Sequence, residues 1–188
     1  MEVNKRLKQT IANFLFLREY RNQKRISRSV TFDEAKKIGI LYEATSDRNY
    51  EIVKQFVKEI RAQQKDVLAL GYVDQKELPH MRFAKLGLDF FTRKSVNWKM
   101  KPQHPSVSNF INNDFDILIN LNTEKCFPLK YISAMTKARF KVGKYDQKNF
   151  PFCDMMIQAG ENIGLKDFID QVTHYLKLLK HDSTLQKA

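Results

Sequence analysis

Glycine, cysteine and histidine are scarce in this sequence, and each shortage excludes a class of function. Six glycines occur in 188 residues. None of them builds a GxGxxG or GxxxxGK[ST] loop behind the first strand-like run, where Thr45-Ser46-Asp47-Arg48 stands instead. A nucleotide cradled on glycine-rich backbone in the usual manner is therefore not expected. The two cysteines, Cys126 and Cys153, make neither a disulfide framework nor a thiolate metal site, and the four histidines lack ligand spacing. No metal and no cofactor is expected. No run approaches the roughly 18 apolar residues of a membrane span. The short Phe14-Leu15-Phe16-Leu17 run leads into Arg18-Glu19, not into a small-residue cleavage site. A reducing cytoplasm is the expected location.

Acidic residues are also thin at the N-terminus, and this is the most informative feature of the chain. Residues 1–28 hold eight Lys and Arg against Glu2 and Glu19, so they carry +6 of a total formal charge of +12. Such a concentration points to an anionic partner. Residues 2 to about 25 read as a helix, free of Gly and Pro, with Val3, Leu7, Ile11, Phe14 and Leu15 recurring at helical spacing as its packing face. The first half of the helix is expected to pack and the second to project. Arg18, Arg21, Lys24, Arg25 and Arg28 then form a cationic surface, expected to be exposed and unpaired. Tyr20 and Phe16 stand close enough in sequence to stack on RNA or to pack in a core.

Beyond this helix, apolar runs alternate with amphipathic stretches. Thr31-Phe-Asp-Glu34 reads as a capping box. Ile38–Ala44, Asp66–Val73, Leu86–Phe91, Phe115–Leu121, Arg139–Gly143 and Cys153–Gln158 read as strands. Helices are predicted from 47 to about 64, over 106–112, over 128–138 and from Leu165 onward. Most strands are apolar on both faces, which predicts a three-layer α/β domain with an open, mostly parallel, Rossmann-like sheet of five or six strands. The expected order is 3-2-1-4-5 or close to it. The organisation is then a basic amphipathic N-terminal helix (1–28), a single α/β domain (29–182) and a polar tail (183–188).

In open parallel sheets ligands gather where strands end at their carboxyl termini. Those ends offer Thr45, Ser46 and Asp47 after the first strand, and Asn120, Asn122, Thr123 and Glu124 after the fourth. Ser46 or Asp47 is also the natural cap of the next helix. Asn120 interrupts an apolar run and needs a partner, either a ligand or a neighbouring loop's backbone. Cys126, just before a helix, is expected to be a buried structural thiol.

Two longer segments, Phe115–Asn122 and Pro128–Gly143, resemble an uncharacterised domain-of-unknown-function family of Bacteroidetes-type bacteria. The Ile38–Glu43 run and the Asn97-Trp98 loop are similar to it as well. The arrangement of Asp116-Ile-Leu-Ile-Asn-Leu121 with Ser133-Ala-Met-Thr-Lys-Ala-Arg-Phe-Lys-Val-Gly143 also resembles, more distantly, one half of a heptosyltransferase-type GT-B glycosyltransferase. The first resemblance implies no activity. The second implies the α/β fold and an enzyme acting on a phosphorylated or nucleotide-linked substrate. The favoured expectation is a non-catalytic binding or accessory protein that uses its basic surface on RNA or another polyanion. The enzyme is one alternative. A peripheral protein of anionic membrane surfaces, using Phe14–Leu17 and the flanking Lys and Arg, is another.

Overall fold

Strands that are apolar on both faces must be covered on both faces, and the chain does so with helices. The structure, a computed structural model, describes residues 2–79, 87–146 and 151–179, with side chains from Gln9 onward. Among these residues six strands form one all-parallel sheet: β1 (Lys37–Glu43), β2 (Asp66–Val73), β3 (Leu88–Thr92), β4 (Ile117–Asn120), β5 (Phe140–Lys144) and β6 (Met155–Ile157). Their order is β3-β2-β1-β4-β5-β6. Parallel neighbours need crossover connections. Helix α2 (Asp47–Ala62) links β1 to β2, α3 (Pro105–Ile111) lies between β3 and β4, α4 (Phe127–Met135) links β4 to β5, and α5 (Leu165–Leu178) follows β6. The expected start of the third strand at Leu86 and the polar tail lie outside the described residues.

Alternation along β1 sorts the core into two layers. Ile38, Ile40 and Tyr42 join a cluster with Val53 and Phe56 of α2 and Phe168 and Val172 of α5. Leu41 joins Leu70 and Leu118 in a second cluster with Phe110 of α3 and Leu129 and Ile132 of α4. Gly39 faces this second layer, under the Phe115 ring, where a Cβ would stand 2.9 Å from the ring carbons. At the amino ends of the strands, the Asp116 carboxylate accepts the backbone N–H groups of Lys36 (2.9 Å) and Lys37 (3.0 Å) and a guanidinium N–H of Arg139 (2.9 Å). That staple holds β1, β4 and β5 in register. Thr31 and Glu34 make the reciprocal bonds of a capping box, Glu34 N–H to Thr31 Oγ1 at 3.3 Å and Thr31 N–H to Glu34 Oε2 at 3.2 Å.

The N-terminal helix α1 (Glu2–Arg21) corrects three expectations. It is shorter: Asn22 N–H bonds to Glu19 O at 3.2 Å and Gln23 N–H to Tyr20 O at 2.9 Å, tight closures that end the helix before Lys24. Its packing face is different, because Ala12, Phe16 and Tyr20 turn inward while Ile11 and Phe14 are exposed. Tyr20, in the half expected to project, packs, whereas Arg18 and Arg21 on either side of it are exposed as expected. The reason is aromatic. Phe16 and Tyr20, one turn apart, meet Phe152 at centroid distances of 5.2 and 4.7 Å, and Phe16 also meets Phe127 and Tyr131. The third correction concerns Arg25. Beyond the helix it lies in an irregular segment and is ion-paired with Asp154 instead of free.

Leu70 of β2 and Leu118 of β4 are fully buried in the same layer. Replacing Leu70 by Ala is expected to cost about 2–5 kcal/mol of folding stability. Urea denaturation measures it, and a loss below about 1 kcal/mol would place β2 away from the centre of the sheet.

Candidate functional site

Two regions bring the candidate residues together. The first is the switch point of the sheet, where chain connections leave β1 and β4 in opposite directions. Glu43 ends β1, and its carboxylate accepts the backbone N–H of Thr45 at 2.8 Å and faces the Asn49 amide at 3.4 Å. Ser46 is the N-cap of α2: its hydroxyl accepts Asn49 N–H at 3.1 Å. The Thr45 hydroxyl accepts Asp74 N–H at 2.8 Å, tying the end of β1 to the end of β2. Asn120, at the end of β4, spends its Oδ1 on Asn122 N–H at 3.1 Å. Asn122 in turn donates its amide to Glu124 O.

These local bonds shape a polar cleft of about 280 Å³. Asn122, Thr123 and Glu124 line it, whereas Thr45, Ser46, Asp47 and Asn120 do not. Glu43, Arg48 and Asn49 complete one wall, and Gly164 and Leu165 at the start of α5 close another. Sequence reasoning stopped two residues short on α2, since Arg48 and Asn49 directly follow Asp47. The approach of α5 joins residues more than a hundred positions apart and has no local signal. Cys126 sits nearby at the N-cap of α4, but burial pushes its thiol up to about 12. A hydrogen bond from Leu129 backbone opposes that rise, and the Asp74, Glu43 and Glu124 carboxylates add to it. A thiol so raised stays protonated at neutral pH and is a poor nucleophile.

The second region is the cationic N-terminal face. Glu19 on α1 accepts the Lys101 ammonium and the Tyr131 hydroxyl, each at 2.7 Å. Its charge is thus consumed inside the protein. Lys101 belongs to a turn pinned by Asn97, whose Oδ1 accepts the N–H groups of Lys99 (2.9 Å) and Lys101 (3.0 Å), with exposed Trp98 at the tip. A groove of about 370 Å³ runs between this turn and α1, with Arg18, Lys99 and Lys101 along it. After α1 the chain runs without regular secondary structure, tied to the domain by side chains. Gln23 donates to Met135 O at 2.9 Å, and Arg25 and Ser27 both bond Asp154 Oδ1, Ser27 at 2.6 Å. The intervening Lys24, Ile26 and Arg28 are exposed. Among the described residues Arg18, Arg21, Lys24 and Arg28 make no ion pair.

Beneath this segment lies a residue that sequence reasoning missed. Lys141 of β5 is buried, and its ammonium donates to Ser133 O at 2.7 Å and Ala134 O at 3.1 Å. These are carbonyls at the C-terminal end of α4, which has no helical partner for them. Burial pushes Lys141 down to about 7, with Arg25 adding to the fall and Cys153 and Asp154 opposing it. The unfolded chain has the ordinary value of 10.5. Between these values the unfolded state binds more protons at this group, so the contribution of Lys141 to stability rises as pH climbs from about 7 toward 10.5, and below 7 the cost of burying the charge is present in full. Lys141→Met is expected to remove this rise, which has a limiting slope of about 1.4 kcal/mol per pH unit. Urea unfolding of both proteins across that range reads the difference, and parallel stability curves would contradict the assignment.

The family model of DUF6913, a family of unknown function, matches residues 8–179. No curated protein and no solved structure matches the chain.

Proposed function

The chain belongs to DUF6913, a family of unknown function, and we propose that it is a non-catalytic binding or accessory protein of the cytoplasm that engages RNA or another polyanion through its cationic N-terminal face. The observation that carries this reading is the set Arg18, Arg21, Lys24 and Arg28. All four are exposed, and no acid pairs with them among the described residues. They stand on backbone that is itself anchored, so they are held as a surface and do not trail as a tail. Arg18 and Arg21, at i and i+3 on the helix, repel one another, and an anionic partner relieves that repulsion.

A second reading has one observation behind it. The polar cleft at the switch point is where an α/β enzyme holds a small substrate. A phosphorylated or nucleotide-linked substrate would meet Glu43 and Glu124 there against the single guanidinium of Arg48. Two carboxylates facing one cation disfavour such an anion, which is why this reading ranks second.

Charge reversal tests the first reading. Replacing Arg21, Lys24 and Arg28 with Glu is expected to lower sharply the salt needed to elute the protein from immobilised heparin. On RNA the logarithmic salt slope should fall by about 0.7–0.9 for each phosphate that is no longer neutralised. The control variant carries Glu at exposed Lys58, Lys125 and Lys166, an equal change of net charge elsewhere on the surface. Both variants should melt like the parent, since exposed charges contribute little to stability. If the two variants elute together, the N-terminal face is not the binding element.

A further inference from the structure

The cationic face is also apolar. With Ala12, Phe16 and Tyr20 turned inward, the opposite side of α1 presents Ile11, Phe14 and Leu17, which are 37%, 65% and 42% exposed. Phe14, Arg18 and Arg21 stand at i, i+4 and i+7 and so share one face of the helix. The irregular segment that follows repeats the pattern. Ile26, 87% exposed, lies between exposed Lys24 and Arg28, because Gln23, Arg25 and Ser27 are the residues bonded to the domain. Two consecutive elements thus present large apolar side chains flanked by cations.

Three kinds of partner satisfy this surface to different degrees. RNA neutralises the cations and offers base faces to Phe14, but leaves the aliphatic Ile11, Leu17 and Ile26 with no apolar surface to meet. A second copy of the chain covers the apolar side chains but brings a +6 segment against another +6 segment. An anionic lipid bilayer satisfies both, because acyl chains take the apolar residues while headgroups take the Arg and Lys. No described helix is long and apolar enough to cross a membrane, so the contact is one of lying on the surface. We propose that the outward face of α1, continued by Lys24–Arg28, is a docking surface for anionic membranes. The proposal rests on the anionic-partner reading above and names the partner's chemistry.

Co-sedimentation with vesicles tests it. The protein is expected to pellet with phosphatidylcholine vesicles that contain phosphatidylserine and not with phosphatidylcholine alone. Each cation near such a surface strengthens binding about fivefold. The double variant Phe14→Ser, Leu17→Ser should weaken vesicle binding by roughly tenfold or more, with its heparin elution unchanged. Trp98 is the single tryptophan and is exposed, so Trp98→Phe gives a silent background. In that background Phe14→Trp should shift its emission to the blue on anionic vesicles. Unchanged vesicle binding by the double serine variant would overturn the proposal, because charge alone would then explain the contact. Heparin retention without vesicle binding would also overturn it, while the anionic-partner reading stood with RNA as the partner. Loss of both would end both.

Discussion

A single carboxylate, Asp154, fixes where the N-terminal segment lies. It sits just before β6 and accepts the backbone N–H of Lys141 at 2.8 Å, the Ser27 hydroxyl at 2.6 Å and the Arg25 guanidinium. Its own N–H returns to Lys141 O at 2.8 Å. One side chain therefore joins β5 to β6 and straps residues 23–28 across both. An acid with three donors in a partly buried place is satisfied only when all three elements are in position. The Arg28 N–H bond to Arg139 O at 3.1 Å extends the strap to the start of β5. With the side chains of Gln23, Arg25 and Ser27 bonded to the domain, Lys24, Ile26 and Arg28 are left facing out.

The charge of the protein is accordingly divided. Glu43 and Glu124 line the cleft at the carboxyl ends of the strands, with Asp74 close by. Half of the net charge lies in residues 1–28, in α1 and the strap, where Glu19 is already engaged with Lys101 and Tyr131. A net charge of +12 would otherwise suggest diffuse attraction to anything negative. Here exposed cations that make no ion pair among the described residues gather on one face, and two carboxylates against one guanidinium line the crevice. The same division explains why a cationic helix is tolerated, since its inward side is held by aromatic packing and not by charge.

Much of the sheet was legible because β1, β2 and β4 are apolar on both faces, a pattern that only a covered parallel sheet accommodates. Their central position and the caps around Ser46 followed from local chemistry. The packed face of α1 was not legible in the same way. The aliphatic stripe through Ile11 and Phe14 and the aromatic pair Phe16 and Tyr20 both have helical period. Only the tertiary partners Phe127, Tyr131 and Phe152 decide between them. Lys141 misleads for a related reason, since a lysine inside a strand reads as a solvent position until the open end of α4 is seen beneath it. The Arg25–Asp154 pair spans 129 residues and leaves no trace in local spacing. The crevice was half legible: Asn122, Thr123 and Glu124 line the cleft, whereas the residues chosen after β1 serve as caps and ties.

Hydrogen exchange on the Asp154→Ala variant tests the strap most directly. If Asp154 holds the N-terminal segment in place, amides of residues 22–30, Arg28 above all, should exchange faster in the variant, while amides of β1, β2 and β4 keep their protection. Unchanged protection across 22–30 would contradict the account, because the outward presentation of Lys24, Ile26 and Arg28 would then have some other cause.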